Sequence, residues 1–395
     1  MVTRTPFVDV VAVGGADPTG ATDSTAAINA CIAQYGAVSL PPGIFTVTGN
    51  GIPISNNVTL FGAGQGLVTI RHSQPTGNAL TILGGVNSWL SGFTIDRAVP
   101  AIAGGNGIGY VGAVPPPTNN WTLRDLIIQN HWIGAQLPGA YLGVIDNVQS
   151  NSNYSDGWDF NAGAAPLQWN ISKASASLNN GWGYQFAGGP AYTPVGMLDT
   201  ITTFANALGG MSFNGSPTGT INDVRMLNYN GSGNGGTDLN FQTYGEHCIV
   251  GGAGLIEGAG MGSSGMCGRG LLLKASGTGY GVLAVGSNAE LTIVGQQIRG
   301  CANSGIGTRG AFASLIIANN QISSNNQSGN GGDGAIFLTG TVSNAALVTG
   351  NGGEDRGTQR YGIYNGMTGS VAASCNALRG TITNYGGAPM VGVNV

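Results

Sequence analysis

From about residue 121 the chain alternates apolar and polar residues in short runs, most of them opened by a glycine. The runs read DGWDFNAG, NGWGYQFAGG, LGGMSFNGS, GGTDLNFQTYG, GRGLLLKASG, SGIGTRGAF and DGAIFLTG. Alternation with a period of two marks a half-buried strand, and Asn/Gly-rich turns separate the runs. Aligning Gly157, Gly181, Gly210, Gly236, Gly270, Gly305 and Gly334 gives a drifting repeat of roughly thirty residues, room for two or three strands with their turns. NGIGYVG at 106–112 fits the same frame, so the repeat starts before it. No segment after residue 40 sustains an i, i+3, i+4, i+7 apolar pattern, which excludes a helical solenoid. Units this short bury their apolar faces by stacking on one another about 4.8 Å apart. The expected fold class is therefore all-β, a single-stranded parallel β-solenoid.

Parity sorts the side chains of the glycine-led strands. Trp158 and Phe160, Trp182, Tyr184 and Phe186, Met211 and Phe213, Leu239 and Phe241, and Leu271 and Leu273 are expected to point inward. Asp159 and Asn161, Gln185, Ser212 and Asn214, Asp238, Asn240 and Gln242, and Lys274 fall on the other parity and are expected to face solvent. The exterior would then be a continuous polar wall suited to sugar hydroxyls.

The N-terminal segment differs. Residues 1–50 read as a cap with a short helix over about 24–34, and 51–395 as the coils. Asp23 is the expected N-cap, Ala27, Ile28, Cys31 and Ile32 form one apolar stripe, and the helix ends near Tyr35-Gly36. Such a helix covers the apolar end that an open solenoid would otherwise expose.

Composition narrows the function classes. Gly accounts for 72 of 395 residues and charged residues for only 8%, while 42% are hydrophobic, enough for a long core with many turns. Net charge is −4 with the 13 basic residues scattered, so no stripe is available for a phosphate backbone, and nucleic acid is not an expected partner. No apolar run has the length of a membrane span, and MVTRTPFVDV lacks the apolar core of a secretory signal. The five cysteines, Cys31, Cys248, Cys267, Cys301 and Cys375, have neither disulfide-framework nor metal-site spacing and read as small buried hydrophobes. No cofactor is expected; a bound Ca²⁺ is left open because no motif indicates or excludes it.

The run from Gly15 to Val47, with Gly15-Ala16-Asp17, Thr22 to Ile28 and Leu40-Pro41-Pro42-Gly43, resembles the N-terminal cap of pectate-lyase-like right-handed parallel β-helix proteins. That superfamily includes polygalacturonases, rhamnogalacturonases, mannuronan epimerases and phage tailspike depolymerases. The resemblance implies a right-handed coil and a polysaccharide partner. Fold alone does not give chemistry. The polygalacturonase element Asn-Thr-Asp-Gly-x-Asp is similar to Tyr154-Ser155-Asp156-Gly157-Trp158-Asp159. The family's next motifs fall on Asn180-Gly181, Leu208-Gly209-Gly210 and Asp238-Leu239-Asn240, without the second acid pair, the histidine or the basic residues. The epimerase element Gly-Phe-Asp-Pro-His is similar to Gly157 to Asn161, with the Asp retained and the His lost.

Asp156 and Asp159 are the candidate catalytic pair. In a regular strand their side chains diverge, and only a bend at Gly157 brings them together for glycoside hydrolysis. Asx-turn and surface-carboxylate roles are the alternative. Asn161, Gln185, Asn214, Asp238, Asn240 and Tyr154 are the candidate sugar-binding residues, with Trp132 and Tyr192 as further stacking candidates. Tyr244, Glu246 and His247 form a second constellation, suited to lyase or epimerase proton transfer.

The leading expectation is a tailspike-like depolymerase or related extracellular glycoside hydrolase acting on a largely neutral bacterial surface polysaccharide, on a virion or outside the cell. The alternatives are a non-catalytic glycan-binding or virion structural protein, and a lyase or epimerase. Leu272, Ile336 and Leu338 read as apolar positions on the outer face, covered in an oligomer; the tailspike resemblance implies a homotrimer.

Overall fold

A computed structural model describes residues 7–84, 86–111, 118–161, 167–188, 194–214, 222–242, 248–251, 255–257, 279–285, 287–326, 334–353, 360–378 and 383–390. The chain divides into two compact units, Met1–Ser175 and Ala176–Val395. Each is a parallel β-solenoid in which every strand pairs with its counterpart one coil away.

In the first unit three inward columns build the core. Val38, Leu60, Leu90, Leu123, Ile145 and Ile171 stack in register. Phe45, Ile70, Ile95 and Ile128 form the second column. Ile52, Leu80, Ile108, Ala135 and Trp158 form the third. All are at most 1% exposed. Coils are thus already running at Ala37–Leu40, well before NGIGYVG. Asparagine makes one corner: Asn57, Asn87 and Asn120 have φ of 58°, 58° and 53°, a region it tolerates better than most residues. Their side-chain amides bond coil to coil at 3.3 and 3.0 Å.

In the second unit Tyr184, Met211, Leu239, Val282, Ile306, Ile336 and Ile363 share one inward column. Phe186, Phe213 and Phe241 share the next, with ring centroids 4.9 and 4.8 Å apart and planes within 8°. Those separations are the coil repeat itself. Ile336 and Leu338 are fully buried in these columns, which corrects their expected outward placement: their glycine-led strand keeps the inward parity of Ile306 and Thr308. Ser212 is also buried rather than solvent-facing, and Trp182 is half-buried rather than core. Buried turn amides form a ladder, in which Asn320, Asn351 and Asn376 accept backbone N–H groups from Gln296, Asn320 and Asn351 one coil back. Such polar groups stay buried because each has a partner.

The single helix among the described residues is Thr25–Tyr35, with Ile28, Cys31 and Ile32 buried and Ala27 only half-buried. Its N-cap is Ser24, not Asp23, and Ser24 makes no side-chain capping bond. Asp23 ends a strand and instead accepts the Thr25 N–H at 2.9 Å and the Thr25 and Thr48 hydroxyls. Among the described residues no helix is long and apolar enough to cross a membrane. Cys31 and Cys301 are buried free thiols, whereas Cys375 is exposed; Leu271, Leu272, Leu273 and Lys274 lie outside the described residues.

Candidate active site

One column of outward parity in the first unit runs Pro53, Thr81, Gly109, Gln136, Asp159, one residue per coil, with Thr81 and Gly109 themselves buried. Asp159 follows Trp158, whose ring is fully buried, so alternation turns the carboxylate outward, and it is half-buried there. Gln136 Nε2 donates to Asp159 Oδ2 at 3.2 Å, and Asn106 Nδ2 donates to Gln136 Oε1 at 3.2 Å. A relay of side-chain amides thus leads from the carboxylate along the wall.

Beside this relay lies a cleft of about 520 Å³ whose lining includes Asn50, Gln74, Asn78, Asn106, Tyr110 and Gln136. A Cβ at Gly109 would lie 2.6 Å from Asn78 Oδ1, so the missing side chain makes room for the amide of this cleft-lining residue. Asn106 Oδ1 is buried and without a hydrogen-bond partner, an acceptor that costs free energy until water or a ligand donates to it. Burial raises the Asp159 carboxyl above its ordinary value, with the Gln136 bond acting in the opposite direction. Burial, and secondarily the Asp159 charge, also raises the Tyr110 phenol.

The floor is held by a buried cation. Arg97, 3% exposed, donates Nε to His131 Nδ1 at 3.1 Å and Nη1 to His72 Nδ1 at 3.0 Å. Its remaining donors go to the carbonyls of Gln74, Thr76, Gly77 and Asn106. His72 Nε2 faces Gly49 O at 2.9 Å, which assigns the N–H to Nε2 and leaves Nδ1 as acceptor. Five of the groups tied to this cluster belong to cleft-lining residues. Desolvation lowers the His72 pKa, followed by the Arg97 charge, so the imidazole is neutral. Among the described residues no three His, Cys, Asp or Glu side chains gather at one point.

The expected site residues are distributed as follows. Asp156 sits at the corner before the Trp158–Asn161 strand, 9% exposed, its carbonyl accepting the Gly134 N–H; it does not share the outer column of Asp159. Tyr154 is half-buried at the same corner, its N–H bonded to His131 O. Asn161 pairs in register with Pro138. In the second unit Gln185, Ser212 and Asn240 share one column, in which Ser212 is buried and Gln185 and Asn240 are half-buried. There Ser212 receives Asn240 Nδ2 at 3.4 Å and donates to Asn214 Oδ1 at 3.0 Å. Asp238 is the clear correction: it is fully buried, not solvent-facing, and cannot touch a glycan on the wall. In register it follows Gly210 and precedes Gly281 at the strand's start, and its Oδ1 accepts from Tyr229 and Asn234. Tyr192, Tyr244, Glu246 and His247 lie outside the described residues.

Tyr110, Asn106 and Gln136, and the Arg97 cluster beneath them, were not among the expected residues. NGIGYVG was legible as a coil, but GAQLPG at 134–139 lacks an aromatic at the strand start, and nothing in the spacing joins Arg97 to His72 and His131.

Known proteins agree with this architecture. Residues 7–88 match the family described as Rhamnogalacturonase A/epimerase, pectate lyase-like. The chain resembles the pectate-lyase-like β-helix proteins. The A-module of the Azotobacter vinelandii mannuronan C-5 epimerase AlgE4 is 16% identical, with a TM-score of 0.61 over 96% of this chain and 97% of that one. Tailspike protein 3 of bacteriophage CBA120 is 13% identical, with a TM-score of 0.60 over 98% of this chain and 60% of that one. PfbA, a surface adhesin of Streptococcus pneumoniae, is 12% identical, with a TM-score of 0.55 over 96% and 93%. Identities this low establish a shared fold. No curated protein sequence matches the chain.

Proposed function

We propose that the chain binds and cleaves a largely neutral bacterial surface polysaccharide laid along the cleft of the first unit, with Asp159 as its proton-transferring carboxyl. The observation that carries this reading is the placement of Asp159: outward, at the end of an amide relay beside the cleft, with burial raising its pKa. A carboxyl made harder to ionise is the acid that protonates a leaving glycosidic oxygen. Asn78, Asn106 and Gln136 supply hydrogen-bonding groups for hydroxyls, and Tyr110 an aromatic edge. Hydrolysis requires a second carboxyl across the bond, and Asp156 is the one nearest in sequence.

A second reading draws on the electrostatic coupling of Tyr110 to Asp159: a phenol and a carboxyl at one site can move a proton at a sugar carbon, the step of a lyase or epimerase. Replacing Asp159 by Asn tests both. Loss of reducing-end release with glycan binding retained supports hydrolysis, and loss of an ultraviolet-absorbing unsaturated product supports a lyase. Unchanged product formation removes Asp159 from the chemistry, and glycan binding without any product from the native chain leaves a binding protein.

The coil is inferred to be right-handed, the sense of nearly all parallel crossovers, with Thr25–Tyr35 as its cap. The tailspike and adhesin neighbours support a place on a virion or cell surface. A homotrimer no longer draws support from Ile336 and Leu338; the in-register outer pair Ile316 and Leu347, 37% and 38% exposed, supports association instead.

A further inference from the structure

We propose that the second unit carries a glycan-binding platform of its own, an aromatic strip with an arginine at either end, built for an oligosaccharide that bears carboxylates. Gly307, Phe337 and Tyr364 occupy one outer column on successive coils. The rings of Phe337 and Tyr364 stack at 4.8 Å with planes 14° apart, and Tyr361 joins them at 5.3 Å from Tyr364. All three rings are half-exposed on a face where a solenoid ordinarily presents polar side chains.

The ends of the strip carry the charge. A Cβ at Gly307 would lie 2.7 Å from the ring of Tyr280, so this glycine leaves the space that Tyr280 fills one coil before Phe337. Arg309 lies 5.2 Å above the Tyr280 ring and donates to its hydroxyl. Arg360 lies 5.7 Å from the Tyr361 ring. Among the described residues neither arginine forms an ion pair, and the buried Nε of Arg360 has no acceptor. A guanidinium seated on an aromatic ring is held in place while its remaining N–H groups stay available for a planar anion.

The two chemistries select one ligand class. Aromatic rings take the C–H faces of a pyranose, and a guanidinium fork takes a carboxylate with two parallel bonds. Two coil steps span about 10 Å, the scale of a short oligosaccharide rather than an extended polyanion. Two isolated cations on a chain of net charge −4 do not form the row that a phosphate backbone requires. The platform does not use Asp159, so its existence is independent of the reaction proposed for the first unit.

Calorimetric titration of the full chain with a hexamer of galacturonic acid, and with the same hexamer after carboxyl reduction, tests this. The acidic hexamer is expected to bind at least about 10-fold more tightly than the reduced one, and Arg309→Ala, Arg360→Ala and Tyr364→Ala each to weaken it by about 5- to 10-fold. Arg309 is exposed and Arg360 half-exposed, so these variants retain the fold. Asp159→Asn is expected to bind the acidic hexamer as the native chain does. The proposal is overturned if the acidic hexamer fails to bind, if both hexamers bind equally, if the arginine variants bind normally, or if Asp159→Asn abolishes binding. It is overturned equally if a single-stranded DNA hexamer binds as tightly, since the strip would then read charge and not sugar.

Discussion

Arg97 and His131, both buried and on neighbouring coils, meet through a guanidinium Nε–H donated to imidazole Nδ1 at 3.1 Å. With His72 accepting from the same guanidinium, a cation with no carboxylate among the described residues is solvated by two imidazoles and four carbonyls. Desolvation brings its pKa down to about 10, so it remains charged at neutral pH. Because those carbonyls belong to the corners that line the cleft, the cluster fixes the shape of the proposed sugar site.

Acid should loosen it. The folded-state pKa of His72 lies below its ordinary 6.5, so the unfolded chain binds the proton first and stability falls as pH drops below about 6.5. Asp23, the acidic group whose charge opposes this shift, is the smallest of its causes. His72→Gln keeps an acceptor for Arg97 and a donor for Gly49 while removing the titration. Thermal unfolding followed from pH 8 to 5 should show a shallower loss in this variant than in the native chain.

Asp238 should act in the opposite sense. Its carboxyl is pushed up to about 7, chiefly by burial, with Tyr229 and Asn234 donating to one oxygen and Oδ2 left without a partner. The folded chain therefore holds a proton that the unfolded chain has released, and this contribution is complete below the ordinary 3.8 and lost as pH rises through 7. Asp238→Asn should remove that slope and raise stability at pH 8 by about 1–3 kcal/mol, measured by denaturant titration.

Gly134 precedes the strand that carries Gln136, and a Cβ there would lie 1.9 Å from Ser150 Oγ and 2.6 Å from Gly157 O. Gly134→Ala should destabilise the fold by about 1–3 kcal/mol through overpacking, visible as a lowered Tm.

Gln136 favours the ionised form of Asp159 by donating to it. Gln136→Ala should therefore raise the Asp159 pKa further, and a carbon-detected NMR titration of that carboxyl should move to higher pH than in the native chain.

The core was legible in the sequence wherever a glycine opened an alternating run, because a period of two in a stacked coil leaves Phe186, Phe213 and Phe241 no place but the axis. Parity failed at strand starts. Asp238 has outward parity on paper, yet the corner after Gly231 turns it into the interior, where a Cβ on Gly231 would lie 2.4 Å from its Oδ1. Ile336 and Leu338 have outward parity only if Gly334 matches Gly305; Ile306 pairs with Ile336, so the register lies one residue further on and both side chains face the core. Asp159 and its outward direction were readable, whereas its partners Gln136 and Tyr110 were not, since coil-to-coil neighbours lie about thirty residues apart in a repeat of variable length. Arg97 gave no signal, because a buried cation met by carbonyls leaves no complementary acid in the sequence.

The most direct test of the Asp159 cleft is a crystal structure of the protein soaked with oligosaccharides released from a bacterial surface polysaccharide. Sugar density along Asn78, Asn106 and Gln136, with a glycosidic oxygen within hydrogen-bonding distance of Asp159, is the predicted result. Sugar bound elsewhere on the first unit with this cleft left empty contradicts the assignment.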